Sequence, residues 1–326
     1  MDMLSIEKKY WNNNINDVAG IDEAGRGPLA GPVVAACVVF DANVKIDDIK
    51  DSKKLTPKKR DILFDTIYKK AKFVTVGIVH EDEIDRLNIL QATYLAMKIA
   101  LGKLNVSPGV VLIDGPRSNI KHYKVEHIIN GDNLSQSIAA ASIVAKVTRD
   151  KIMKQYDIIF PEYKFSNHKG YGTKYHTDTI QVLKSTPIHR KSFKIVKNNL
   201  PTIDFVKNNY GFSILGRKIV ASEHIKKGYT IVDDDLGVKQ NKYFDFFYLK
   251  NKKYLFIKVL TLDDYQNDNI KENEYSEYFK YIETLLAKKD IGINFTFNVI
   301  SVRLQKKKKP LIEIVYNNKK SLNILS

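Results

Sequence analysis

Two apolar runs, Val18-Ala-Gly-Ile21 and Val33 to Phe40, flank a short segment that begins with adjacent carboxylates and continues Asp22-Glu-Ala-Gly-Arg-Gly-Pro-Leu-Ala-Gly-Pro32. Runs of β-branched and small residues bounded by Gly and Pro read as strands joined by a tight turn. Two anionic side chains leave the first strand beside an arginine and two glycines whose bare backbone admits close approach. That combination describes a site able to hold metal ions next to a phosphodiester. Taken alone, an Asp-Glu pair is explained more readily by a hairpin with acidic residues near its turn.

The following segments supply elements for a layered α/β fold. Strand-like runs recur at Phe73–Val79 and Val110–Ile113. Between them Ile84, Leu87, Leu90, Tyr94, Met97 and Leu101 fall at helical spacing, predicting one helix from Glu81 to Leu104. Glu81 and Asp82 suit the positive end of that helix. Thr56-Pro57 reads as a cap and first-turn proline opening a helix toward Lys70. Leu134 to Gln155 forms a third, whose small face of Ala139, Ala140, Ala141 and Ala145 permits close packing on a sheet. Hairpin strands followed by strand–helix–strand predict a mixed sheet with helices on its faces.

A chain of 326 residues with 44% apolar content is long for one domain and comfortable for two. No apolar stretch approaches the ~18 residues that span a bilayer. The start, Met1-Asp-Met-Leu-Ser-Ile-Glu7, lacks the basic and apolar regions of a signal peptide. A soluble, cytoplasmic protein without membrane association is expected. Cys37, the single cysteine, excludes a disulfide framework and a thiolate zinc site. The net charge of +16 favours a polyanionic partner such as nucleic acid, although a chain this rich in Lys, Asn, Ile and Tyr also carries lysine for compositional reasons.

Further motifs follow in order: Asp51-Ser-Lys-Lys-Leu55, Leu112-Ile-Asp-Gly115, Gly131-Asp132, Ala139-Ala-Ala-Ser-Ile-Val-Ala-Lys-Val-Thr-Arg-Asp150, His168-Lys-Gly-Tyr-Gly-Thr173, His176 and Ile188-His-Arg-Lys-Ser-Phe193. In this order and spacing they closely resemble ribonuclease HII, the type 2 ribonuclease H, over roughly residues 17 to 195. The sister family ribonuclease HIII, which lacks this Gly-Arg-Gly form of the turn, fits less well. The resemblance implies a ribonuclease H-like mixed sheet flanked by helices. It also implies an endoribonuclease that cuts the RNA strand of RNA/DNA hybrids and cuts 5′ to a ribonucleotide embedded in duplex DNA, leaving a 3′-hydroxyl and a 5′-phosphate.

By the same resemblance the catalytic, metal-binding residues are Asp22, Glu23, Asp114 and Asp132. Four carboxylates without His or Cys suit two Mg²⁺ or Mn²⁺ ions about 4 Å apart better than zinc. Neighbours on a regular strand point to opposite faces, so a twist into the glycine turn is expected to bring Asp22 and Glu23 round together. Substrate contacts are implied for Gly25, Arg26 and Gly27, whose backbone can approach a 2′-hydroxyl, and for Tyr171, which would pack on the sugar at the ribo-to-deoxyribo junction. Lys53 with Lys54, and Ser142 with Lys146 on one helix face, would grip phosphates. Outside the resemblance a Gly-Tyr-Gly loop is turn chemistry and a lysine pair is solvated surface. Asp51, Arg149 and Asp150 are expected to serve structure by capping and ion pairing, and a four-carboxylate site does not require His168, His176 or His189.

The motifs stop around Asn198-Asn-Leu-Pro-Thr202, dividing the chain into a catalytic domain, 1–198, and an accessory domain, 199–326. The latter has its own cycle: a helix at Arg217–Lys227, strands at Tyr243–Lys250 and Lys253–Leu260 joined by Asn251-Lys252, a helix at Tyr275–Lys288, and strands at Phe295–Leu304 and Pro310–Tyr316. This second small α/β domain distantly resembles the YraN family, of restriction-endonuclease-like fold, through Gly216-Arg217, Gly228-Tyr229, Phe244 to Leu249 and Tyr254 to Val259. Where that family has Gly-Glu-Ile-Asp, this chain has Lys242-Tyr-Phe-Asp245, and its Glu-Val-Lys core is replaced by Lys258-Val-Leu260. Only Asp245 of the acidic set remains, which implies a nuclease that has lost its chemistry. Asp233-Asp-Asp235 reads as a polar turn. Lys306-Lys-Lys-Lys309 beside Arg303 suits phosphate contact and a solvated β-turn equally, and protein contact or simple stabilisation stays open for the whole domain.

The expected protein is therefore a monomeric endoribonuclease acting on RNA/DNA hybrid and ribonucleotide-containing duplex DNA. The alternative is a nucleic-acid-binding or interaction protein whose catalysis has decayed, against which the four retained acids argue.

Overall fold

Strands Val18–Ala24 (β1), Val33–Val39 (β2), Phe73–Val79 (β3), Val110–Asp114 (β4) and Val125–Ile128 (β5) form one sheet in the order β3-β2-β1-β4-β5. β1–β2 and β2–β3 pair antiparallel, while β1–β4 and β4–β5 pair parallel. The computed structural model describes residues 2–42, 44–50, 52–232, 243–262, 272–288, 294–304 and 309–320. Asp51, the acidic run 233–235, Lys242 and positions 306–308 of the basic run lie outside them.

β2 reads as an unbroken apolar run because every residue in it is buried, half against each helical layer. Val34, Ala36 and Val38 meet the helices Pro57–Lys70 and Gln136–Ile159, through Leu63, Ile67 and the alanines at 139–141. Val33, Ala35, Cys37 and Val39 meet Ala92, Ala96 and Ala100 on the opposite face. In chain order the helices are Ser5–Trp11 (α1), Pro57–Lys70 (α2), Glu81–Leu87 (α3), Ile89–Gly102 (α4), Gln136–Ile159 (α5), Phe165–His168 (α6), Lys174–Leu183 (α7) and Lys194–Lys197 (α8). The start of α5 crosses β1 so closely that a Cβ at Gly20 would lie 2.2 Å from the Ser137 carbonyl carbon. Glu7, fully buried on α1, accepts from the Ser135 hydroxyl at 2.6 Å and the Ser137 amide at 2.9 Å, satisfying donors at the α5 N-terminus.

Three expectations need correction. β1 does not end before Asp22: its ladder with β2 continues through Asp22, Glu23 and Ala24, because Val34 to Ala36 keep offering partners. The helix expected from Glu81 to Leu104 is two helices. Asn88 adopts φ +72 between them, and its Oδ1 accepts from the Leu90 and Gln91 amides to cap the second. β5 escaped the sequence pattern because this short edge strand, Val-Glu-His-Ile, shows no apolar run.

The chain divides into two compact units: Met1–Lys154 with Phe165–Lys184 and Ile188–Asn199, and Gln155–Lys164 with Ser185–Pro187 and Leu200–Ser326. The second contains Ile203–Asn209 (α9), Phe212–Lys226 (α10), Thr230–Ile231 (β6), Phe246–Lys250 (β7), Lys253–Leu262 (β8), Glu272–Lys288 (α11), Phe295–Arg303 (β9) and Leu311–Lys320 (β10). Its sheet runs β10-β9-β8-β7-β6, with β8–β9 parallel and the other pairs antiparallel. Asn251 and Lys252 both take positive φ, the geometry of a two-residue hairpin loop, and they join β7 to β8 as expected. An aromatic cluster including Phe244, Phe247, Phe256 and Phe297 fills this unit's core. Among the described residues no helix is long and apolar enough to cross a membrane.

Candidate active site

Sheet register decides which carboxylates meet. Asp22 pairs with Ala36, one of the β2 residues facing α5, so its side chain emerges on the α5 face. Ile21 lies beside Ile113 in the parallel β1–β4 pair, which sets Asp114, the last residue of β4, beside Asp22. Asp132 arrives from the 3-10 turn Gly131–Asn133, entered through Asn130 at φ +57. Oxygens of Asp22, Asp114 and Asp132 all lie within 4.8 Å of one another.

The surrounding donors hold this trio in place. The Glu23 amide donates to Asp22 Oδ1 at 2.7 Å, the Gly131 amide to Asp114 Oδ1 at 2.7 Å, and Asn133 Nδ2 to Asp132 Oδ1 at 2.7 Å. Lys54 Nζ in turn donates to Asn133 Oδ1 at 2.5 Å. Burial, reinforced by the charges of Glu23 and Asp114, holds the Asp22 carboxyl well above the usual carboxylate range, partly offset by hydrogen bonds from Ser142 and the Glu23 amide. Crowded, buried acids of this kind ask for a cation, and oxygen-only donors fit a hard divalent ion.

Glu23 stands apart from the three aspartates. It pairs with Ala35 in a ladder that stays in register through Ala24, and its charge still acts on Asp22 and Asp114. Arg26 Nη1 holds its Oε1 at 3.2 Å. Burial raises the Glu23 pKa, and Arg26 works against that rise. Lys53 also acts electrostatically on this carboxylate.

The remaining sequence-predicted residues surround this centre in different ways. Ser142, on α5, is buried with its Oγ 3.0 Å from Ser52 Oγ, and through Asp22 it ties the Ser52-Lys53-Lys54 turn to the acids. Lys146 pairs with Asp150 at 2.8 Å. Gly25 takes φ +102, and a Cβ there would fall 2.2 Å from Arg149 Nε, so only glycine fits. A Cβ at Gly27 would lie 3.6 Å from Tyr171 Cε1, making the glycine turn and the 45% exposed Tyr171 ring neighbours.

Two arginines beneath the turn had no functional reading in the sequence. Among the described residues Arg149 makes no capping bond or ion pair of the kind expected; its guanidinium donates to the carbonyls of Ala30, Pro32 and Lys169. The signal was present, since Ser142, Ala145, Arg149 and Met153 form a helical stripe that is buried throughout. Arg190 lies in a loop and left no such pattern. Burial lowers the pKa of Arg149 to about 10 and of Arg190 to about 9, so both are cations at neutral pH. The histidines form a network under Tyr171. His176 Nδ1 is 2.8 Å from the Tyr171 carbonyl, and its Nε2 is 3.0 Å from His189 Nε2. Burial drives the His176 pKa down to about 4, so a neutral ring supports this loop.

The sequence profile of the family described as ribonuclease HII matches residues 19–196. Ribonuclease HII of Clostridioides difficile strain 630 is 54% identical over 187 residues, spanning 57% of this chain and 73% of that protein. Ribonuclease HII of Acholeplasma laidlawii is 47% identical over 193 residues, 59% of this chain and 95% of its own length. Among solved structures, ribonuclease H2 from Pyrococcus horikoshii OT3 shares 27% identity over 56% of this chain and 96% of that one, with a TM-score of 0.47. The motif-bearing part of the molecule, from the β1 carboxylates to the Ile188–Phe193 motif, is thus shared at about half identity with named relatives, and the chain belongs to the ribonuclease HII family of type 2 ribonuclease H endonucleases.

Proposed function

We propose that the protein hydrolyses the RNA strand of RNA/DNA hybrids and cuts 5′ to ribonucleotides embedded in duplex DNA, leaving a 3′-hydroxyl and a 5′-phosphate. The observation that carries this reading is the convergence of Asp22, Asp114 and Asp132, the first of them on the strand that leads into the Gly25–Gly27 turn, with the Tyr171 ring beside Gly27. Asp22, Asp114 and Asp132, with Glu23 as the fourth ligand, would hold two Mg²⁺ or Mn²⁺ ions. Bound there, such ions supply an activated water and relieve charge on the leaving oxygen.

The chain's own groups do the rest. Gly25, Arg26 and Gly27 present backbone to the ribose 2′-hydroxyl, a group that both donates and accepts. The Tyr171 ring stacks on the next sugar, where its exposed face and its place beside Gly27 suit a junction between ribose and deoxyribose. Lys53 and Lys146 supply cations for flanking phosphates, with Ser142 orienting Asp22. Residues 1–198 form the catalytic domain, working as a monomer. Residues 199–326 form an accessory domain, a YraN-like nuclease without its acids, in which Asp245 is taken up by Arg217 at 3.4 Å and Lys258 at 3.7 Å.

The test is a DNA duplex carrying one ribonucleotide, incubated with Mg²⁺ or Mn²⁺ beside an all-DNA duplex. A single metal-dependent cut 5′ to the ribonucleotide, absent from the control, supports the reading. Tight binding without a cut in either metal would favour the decayed-binder alternative.

A further inference from the structure

Arg190 gathers backbone carbonyls from both ends of one turn. Its Nη2 donates to Gly25 O at 2.6 Å and Pro32 O at 3.2 Å, its Nη1 to Arg26 O at 3.0 Å, and its Nε to Gly31 O at 3.0 Å. Arg149 completes the set from α5 by holding Pro32 O at 2.9 Å and Ala30 O at 3.0 Å, and it reaches Lys169 O at 2.9 Å in the loop that carries Tyr171. Both residues are almost wholly buried. Among the described residues, each hydrogen bond from these guanidiniums ends on a neutral carbonyl.

Two consequences follow from peptide geometry. No peptide bond here is cis, and in a trans peptide the carbonyl of one residue and the amide N–H of the next point in opposite directions. Drawing the Gly25 and Arg26 carbonyls inward onto Arg190 therefore turns the amides of Arg26 and Gly27 away from the buried guanidinium. Neither amide has an acceptor among the described residues. A cation bound to each carbonyl also polarises its peptide and strengthens the N–H as a donor. Burial and the Arg149 charge both act unfavourably on the Arg190 cation, with Glu81 and Asp85 acting the other way, and the net cost is one that apolar packing would avoid if the turn needed only mechanical support.

We propose that Arg190, backed by Arg149, is a positioning residue for ribonucleotide recognition, fixing the Arg26 and Gly27 amides outward as a pair of donors for the ribose 2′-hydroxyl and its adjoining phosphate. The inference rests on the ribonucleotide-directed reading above and adds what makes the turn a sensor. Lysine keeps the charge but not the planar fork, so it cannot hold four carbonyls at once.

The experiment measures binding of the full chain carrying Asp22→Asn, which removes cutting, to duplexes that are all DNA, hold one ribonucleotide, or hold one 2′-O-methyl nucleotide. Adding Arg190→Met should cut the preference for the ribonucleotide duplex at least tenfold while all-DNA affinity stays within twofold. Arg190→Lys should fall between, with circular dichroism and a cooperative melt verifying the fold. A folded Arg190 variant that keeps the full preference, or loses affinity equally for all three duplexes, overturns the inference alone. A parent without any preference overturns the ribonucleotide reading and the inference with it. Should both Arg190 variants fail to fold, the backbone resonances of Arg26 and Gly27 in the Asp22→Asn protein decide. Shifts on adding the ribonucleotide duplex but not the all-DNA duplex support the clamp, and unmoved resonances overturn it.

Discussion

The two units each set an aspartate in or beside a strand, and the two sites have opposite electrostatics. Asp22 sits beside Asp114 and Asp132, and burial with the charges of Glu23 and Asp114 raises the cost of its own charge. Asp245 accepts from the Val259 amide at 2.8 Å and lies between Arg217 and Lys258. The first carboxylate is left with a charge that its neighbours oppose and that a proton or an added cation would answer. The second has its charge answered by the chain itself. A carboxylate's presence therefore says less about function than the sign of its neighbours does.

The strongest way to break this contrast is to neutralise each acid. Asp22→Asn or Asp132→Asn should abolish cleavage, by on the order of a thousandfold or more, while hybrid binding is largely kept. Asp245→Ala should leave cleavage within about twofold and instead cost about 2 kcal/mol of stability, because it strands Lys258 and the Val259 amide. Equal loss of binding and cleavage in the Asp22 variant would mean these acids do not act as ligands.

Stability without metal sharpens the same point. The Asp22 pKa is raised on folding, so its contribution is present below the unfolded value near 3.8 and lost as pH rises through the folded one. In EDTA at neutral pH, Asp22→Asn should therefore melt higher than the parent. Millimolar Mg²⁺ or Mn²⁺ should raise the parent's melting temperature, by about 2.7 kcal/mol of stability at a hundred times Kd, and should do little for the variant. A parent indifferent to both ions would remove the cation demand that distinguishes the two units.

A smaller effect is expected beside the acids. Arg26→Ala or Tyr171→Ala should weaken cutting at a single ribonucleotide by about tenfold while general duplex affinity changes less, and equal losses would count against junction sensing. The smallest effect is that of His176. Its folded pKa, about 4, lies below the ordinary 6.5, so stability falls as pH drops from 6.5 toward 4, where the unfolded ring takes up a proton that the folded ring refuses. His176→Gln should flatten the melting profile across that window relative to the parent, and an unchanged profile would exclude the ring as its source.

Much of this was legible along the chain. The Thr56 hydroxyl caps α2 as its position before Pro57 implies, accepting from the Lys59 amide at 3.3 Å. The apolar run of β2 and the Asn251-Lys252 loop also form what their patterns predict. Asn88 shows the limit of periodicity: apolar spacing continues through it, yet a cap residue at positive φ splits the helix. Glu23 shows another. Its adjacency to Asp22 is plain in the sequence, but its carboxylate falls outside the cluster of three aspartates and pairs with Arg26.

The sequence by itself determined the periods, the turns and the order of the carboxylate motifs, because strand alternation, helix caps and hairpin loops are set by steric and hydrogen-bonding rules acting over a few residues. Only the tertiary structure decided that Asp22, Asp114 and Asp132 converge while Glu23 pairs with Arg26, and that Arg190 closes on Gly25. Those outcomes depend on which strands pair and in what register, and a contact between residues 165 positions apart leaves no trace in the chain around either one.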